Sequence, residues 1–157
     1  MEPWQRVMDV NFRGTYQICR AAGRIMVPQS SGAIVNIASV NGPGGWPRRT
    51  AYGPSKAAIV ALTRELACEW GQYGVRGNAV GPGYIATPMI AGLIEQDKID
   101  TDRINSRTPL DRLGTPDEVG QAIAFLASDW ASFITGETLF VDGGWMAYGG
   151  AGEVKTF

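Results

Sequence analysis

The sequence predicts an α/β fold, a partial doubly wound parallel sheet of about three strands with helices between them. Three observations carry that expectation. Residues 33–38, 75–80 and 137–141 are short apolar runs with the length and β-branched content of buried parallel strands. Loops rich in Gly and Pro follow the first two, and Asp142-Gly143-Gly144 follows the third. The connections between the runs repeat apolar residues at helical period and are long enough for right-handed crossovers.

The first element is a helix. Pro3 suits a first helical turn, and Val7, Val10, Gly14 and Ile18 recur at steps of three and four. Asn11 lies on or beside that stripe. Residues 30–32, Ser-Ser-Gly, turn the chain into the first strand, and Ser39 stands at that strand's carboxyl end, where open α/β sheets place their ligand sites. The loop beyond it holds Gly42, Pro43, Gly44, Gly45 and Pro47. Tyr52 then opens a long helix carrying Lys56, Ile59, Leu62 and Leu66, which Gly71 and Gly74 end. Residues 75–80 run into the segment GPGYIATP, residues 81–88. Gly77 and Gly81 predict a looser strand there. Residues 89–114 read as one amphipathic helix and a loop. Thr115-Pro-Asp-Glu118 is a capping box with proline at the first helical position, and Val119, Ala122, Ile123 and Leu126 form the buried face of its helix.

Composition narrows the function. The chain has 157 residues, enough for one domain, with 45% hydrophobic and 18% charged residues as in a soluble globular protein. A net charge of −1 gives no electrostatic case for a nucleic-acid or membrane partner. No apolar run approaches the roughly 20 residues of a membrane span, and no signal peptide is apparent, so cytoplasm is the expected location. Cys19 and Cys68 fall in apolar helical patterns and read as buried free thiols. Histidine is absent, which removes Ser-His-Asp and Cys-His catalysis and most zinc sites; no metal is expected. Gly53-Pro-Ser55-Lys-Ala57 is a near miss to a nucleophile elbow, but nothing would activate Ser55.

What remains is proton transfer. Ser39, Tyr52 and Lys56 bring a hydroxyl, a phenol and an ammonium together, with Tyr52 and Lys56 four residues apart on one helix face. A free phenol, pKa about 10, is no base near neutrality, and an adjacent ammonium favours its phenolate. Ser39 would hold a carbonyl or alcohol oxygen while the proton moves.

These residues and their spacing, thirteen from Ser39 to Tyr52 and then Tyr-x-x-x-Lys, resemble the short-chain dehydrogenase/reductase family. The text MDVNFRG at residues 8–14 resembles that family's helix before the serine strand; Pro82-Gly83 with Thr87 resembles its Pro-Gly motif, and TGETLFVDGG at 135–144 its closing segment. The resemblance implies a Rossmann-like sheet and hydride exchange between NAD or NADP and a small alcohol or ketone. In it Tyr52 is the acid/base, Lys56 binds the nicotinamide ribose, Ser39 orients substrate and Asn11 supports a proton relay. Pro82, Gly83, Ile85 and Thr87 would meet the nicotinamide carboxamide and the phosphates. Residues 89–114 would be the substrate lid, and the complete domain a homo-oligomer, dimer or tetramer.

Two departures qualify the expectation. The sequence holds neither the family's glycine-rich cofactor turn nor the first strands of its sheet, so residues 1–157 read as the C-terminal part of a single domain. The strand before Ser39 would then be an exposed edge. Three readings stay open: an oxidoreductase completed by further strands, an inactive truncated chain that binds a full-length relative, and an unfolded fragment.

Overall fold

β2, Val75–Pro82, lies in the middle of a three-stranded parallel sheet, between β1, Gly32–Ile37, and β3, Thr138–Val141. The computed structural model describes residues 2–150 and 152–154. β1 and β2 run in register from Gly32 beside Val75 to Ile37 beside Val80, and β2 meets β3 from Ala79 beside Thr138 to Pro82 beside Val141. Both strands of the first pair start from one corner. Gly74 takes the left-handed conformation at φ 69°, and a Cβ there would stand 2.7 Å from the Ser30 carbonyl oxygen, so only glycine fits the turn.

Alternation along β2 sends neighbours to opposite faces. Ala79 packs with Ala38 of the loop beyond β1 and with Ile59 of α3, Tyr52–Trp70. Val80 packs on the other face with Leu126 of α6, Pro116–Ala127, joined by Val119, Ala122 and Ile123 as the periodicity predicts. Helices thus cover both faces, the doubly wound arrangement. On the α3 side lie α1, Glu2–Met8, and α2, Gly14–Met26, joined by a π-helical turn, Asp9–Arg13. α2 closes on α3 at Gly23, where a Cβ would come 2.6 Å from the Trp70 ring.

Two polar side chains of β2 fasten the second crossover. Arg76 donates to the Leu126 carbonyl at 2.7 Å and the Ser128 carbonyl at 2.9 Å, satisfying open acceptors at the end of α6 with a favourable charge. Buried Asn78 donates to the Ile134 carbonyl and accepts from the Glu137 N–H, locking the approach to β3. The Thr115–Glu118 capping box is present, and Arg112 forks onto the same carboxylate, holding it down at about 2.

Three expectations are corrected. Residues 89–114 hold two helices, α4, Pro88–Glu95, and α5, Thr101–Arg107. Asp97 turns left-handed at φ 54° and the Asp100 carboxylate caps the Arg103 N–H, so the chain stops and restarts. Cys68 is exposed, because its position on α3 points away from the face of Ile59, Thr63 and Leu66; Cys19 is buried, and both thiols are free. β2 is the central and most buried strand rather than a loose one, since its glycines admit neighbours. On the first helix's stripe Val10, within the π-turn, and Ile18, beyond it, are 67% and 72% exposed.

The glycines of β2 generate a paired prediction. A Cβ on Gly81 would fall 2.5 Å from the Phe140 ring, whereas one on Gly77 would meet nothing closer than 3.6 Å. Gly81→Ala is expected to destabilise by about 1–3 kcal/mol. Gly77→Ala should be neutral or stabilising by up to about 1 kcal/mol. Denaturant midpoints check both, and equal midpoints for the two variants would contradict the packing described.

Candidate active site

The site begins with a backbone irregularity. The π-helical turn inserts a wider loop into an otherwise continuous helix, and Asn11 stands in its middle. Its amide donates to the Ser55 hydroxyl at 3.1 Å, and Ser55 donates in turn to the Tyr52 carbonyl at 2.7 Å. Ser55 is fully buried. Asn11 therefore grips the first turn of α3 and, through it, the backbone of Tyr52. The sequence places Asn11 beside the site, but Ser55, set aside there as a failed nucleophile, is its partner.

A second buried chain fixes β1 against α3. The Asn36 amide donates to the Thr63 hydroxyl at 3.0 Å, Thr63 donates to the Ile59 carbonyl, and the Cys19 thiol donates to the Asn36 carbonyl oxygen. Burial pushes the Cys19 thiol up, so it stays a protonated donor. Asn36 is the functional residue the sequence reading missed. The signal was available: an amide alone inside the run AIVNI must find partners.

From that junction the reactive groups project. Lys56 donates to the Ile37 carbonyl at 2.9 Å, two residues before Ser39, and its ammonium lies 5.8 Å from the centre of the Tyr52 ring. Ser39, buried, accepts from the Asn41 N–H at 3.1 Å, which leaves its own hydroxyl proton free to donate. Lys56 keeps two N–H donors beyond the Ile37 bond. Asn11 and Lys56 line one cleft of about 350 Å³ along the free edge of β1, with Val10, Ile18 and Cys19. Ser39, Tyr52, Lys56 and Asn11 thus gather where β1, α3 and the π-turn meet.

The Pro-Gly segment lies at the end of β2. Gly83 donates to Val141, and a short bridge of Ile85 with Gly114 ties the segment to the chain entering α6. Thr87 caps α4 by accepting from the Ile90 N–H, so its hydroxyl proton remains free. A cleft of about 440 Å³ lies beyond Tyr84 and Ile85 against β3 and contains none of Ser39, Tyr52, Lys56 or Asn11. Its charges are already paired: Arg112 with Glu118, and Asp142 with the N–H groups of Gly144 and Met146. Of the four residues, Asn11 and Lys56 line the cleft along β1.

Burial lowers the Lys56 pKa below its ordinary 10.5, because the charged form is penalised away from water. The protonated native state is thus the disfavoured one, and stability should rise with pH between the native pKa and 10.5. Reductive ¹³C-methylation with NMR titration is expected to give a Lys56 midpoint below 10.5. A midpoint at or above that value would show an ammonium fully in water.

The chain resembles known proteins over most of its length. Residues 1–146 match the family described as enoyl-(acyl carrier protein) reductase. The chain is 45% identical to galactitol 2-dehydrogenase of Rhizobium johnstonii over 92% of its length and 57% of that enzyme's. It is 41% identical to a 3-oxoacyl-[acyl-carrier-protein] reductase of Thermotoga maritima, covering 91% of this chain and 57% of the relative. A gluconate 5-dehydrogenase from Burkholderia cenocepacia, solved with NADP and tartrate, superposes at a TM-score of 0.88 with 34% identity, over 94% of this chain and 57% of that one. The chain thus spans little more than half the length of these relatives. With its parallel sheet, its serine at a strand end and its Tyr-x-x-x-Lys helix, it belongs to the short-chain dehydrogenase/reductase family.

Proposed function

We propose that this chain is the catalytic, C-terminal part of a single Rossmann-type domain, and that the domain exchanges hydride between NAD or NADP and a small alcohol or ketone. The observation that carries this reading is the convergence of Lys56 and Tyr52 at the end of β1, beside a serine whose proton is free. The donor set suits a nicotinamide nucleotide: two spare N–H groups on Lys56 and a spare hydroxyl on Thr87 match ribose and phosphate oxygens. Tyr52, Lys56 and the segment from Pro82 and Gly83 through Ile85 to Thr87 would hold its nicotinamide end.

When bound, the cofactor supplies the carbon that takes or gives hydride. This chain's residues would handle the proton. In oxidation Ser39 donates to the substrate oxygen and orients it, while Tyr52 as phenolate removes the hydroxyl proton. Lys56 binds the nicotinamide ribose, and Asn11 maintains the relay by holding the first turn of α3. Residues 89–114, helices α4 and α5, would form the lid. A homo-oligomeric assembly accords with the family.

A second reading has one observation in its favour. β1 pairs on one side only, and Val10 and Ile18 stand exposed beside its free edge. The face suits the remaining strands of the domain, supplied by a longer chain or by a relative that this chain binds without turning over substrate itself.

Tyr52→Phe is expected to lower kcat at least 100-fold and cofactor affinity by far less, since the proton-transfer group is removed while Lys56 and Thr87 still hold the cofactor. Steady-state kinetics with NAD and NADP and a panel of alcohols, beside calorimetric cofactor titration, check this. Full turnover by the phenylalanine variant would end the assignment.

A further inference from the structure

We infer that the cavity beside Tyr52 receives a carboxylate, and hence that the substrate is a hydroxy or oxo acid rather than a neutral polyol. This deepens the oxidoreductase reading and rests on it. The loop between Ser39 and Tyr52 encloses, with the first turn of α3, a cavity of about 300 Å³. Two groups in its wall lack partners. The Arg49 guanidinium carbon lies 5.9 Å from the centre of the Tyr52 ring, and the ion pairs among the described residues belong to Arg13 and Arg112, not Arg49. Asn41 is 7% exposed, and neither its amide nitrogen nor its amide oxygen has a hydrogen-bond partner. A buried amide left unpaired is costly, so the wall favours a polar guest. The same residue's N–H holds the Ser39 oxygen. Asn41 thus joins the cavity to Ser39, and Arg49 joins it to Tyr52.

The sign of the guest follows from charge. Between Asp9 and Glu65 there is no acidic residue, while Arg13, Arg20, Arg24, Arg48, Arg49, Lys56 and Arg64 lie in that interval. A chain of net charge −1 thus carries seven positive charges on the segment that builds the site, so the field there attracts anions. Near the reactive phenol, Arg49 supplies the planar fork that matches a carboxylate with two parallel hydrogen bonds. Its stacking on the Tyr52 ring, shared with Lys56 at 5.8 Å, sets the guanidinium beside the phenol.

The test is a calorimetric titration of the 157-residue chain with D-gluconate and with D-glucitol, its neutral six-carbon counterpart. Gluconate is expected to bind at least tenfold more tightly, with the preference shrinking as salt is added. Arg49→Gln should abolish the preference without changing glucitol binding, Arg49→Lys should restore part of it, and Arg64→Gln, on the outer side of α3, should leave it within twofold. No measurable gluconate binding, equal binding of the two sugars, or an equal effect of Arg64→Gln would overturn the inference. Binding is read without turnover, so the two proposals fail separately. Arg49-dependent gluconate binding by the chain, with no gluconate oxidation by the complete domain in the presence of NAD or NADP, would remove the oxidoreductase reading and keep the carboxylate site. Oxidation of both sugars alike, indifferent to Arg49, would do the reverse.

Discussion

A single buried amide sets the geometry of this chain. Asn36 sits inside β1, takes a proton from the Cys19 thiol of α2 and gives one to the Thr63 hydroxyl of α3. Three elements that otherwise touch through apolar surface are thereby fixed in register. Apolar packing alone is non-directional and would let α3 slide or rotate on the sheet. A hydrogen-bonded amide permits one arrangement, since moving either partner leaves a buried polar group unpaired at a cost of about 1–3 kcal/mol. Ser39 stands three residues beyond Asn36, and Lys56 stands two turns before Thr63. The distance across the site is inherited from that bond.

The two faces of the sheet divide the labour. On one, small side chains of β2 and Ala38 let Ile59 and the π-turn come close, so the reactive groups rest on a tight layer. On the other, α6 covers Val80 and Val35 with larger apolar residues and is held by Arg76, while Asn78 holds the approach to β3. The absence of side chains at Gly77 and Gly81 belongs to the same economy of space. Phe140 fills the room Gly81 leaves, and α3 approaches the backbone at Gly77. Bulk is placed on the neighbours of the central strand rather than on the strand itself.

Much of this was legible in the sequence because it depends on covalent spacing. The strands, the crossover helices, the Thr115 cap and the alignment of Ser39, Tyr52 and Lys56 follow from residue types at fixed offsets. What escaped depends on contacts between distant residues. Ser55 looked like a nucleophile without a base, and only the fold brings Asn11, 44 positions earlier, to its hydroxyl. The π-turn is invisible to a periodicity of 3.6, so a stripe read straight through Val7, Val10, Gly14 and Ile18 crosses a change of phase. Cys68 was assigned by residue type, although its helical position directs it outward. In residues 89–114 the break lies in the left-handed Asp97 and the carboxylate cap at Asp100, features that polar runs share with continuous helices.

The bonds that hold the candidate site span 17, 19, 27 and 44 residues, whereas α4 buries no side chain and α5 only Ile104. Opening the first set requires separating the sheet from its helices, which is close to unfolding the whole chain. Lifting α4 and α5 breaks far less. The molecule therefore runs on two clocks. Amides around Asn36 and Ser55 exchange with solvent only as often as the chain unfolds, while α4 and α5 can open many times between such events. A chain built this way keeps β1 and the start of α3 still while α4 and α5 move.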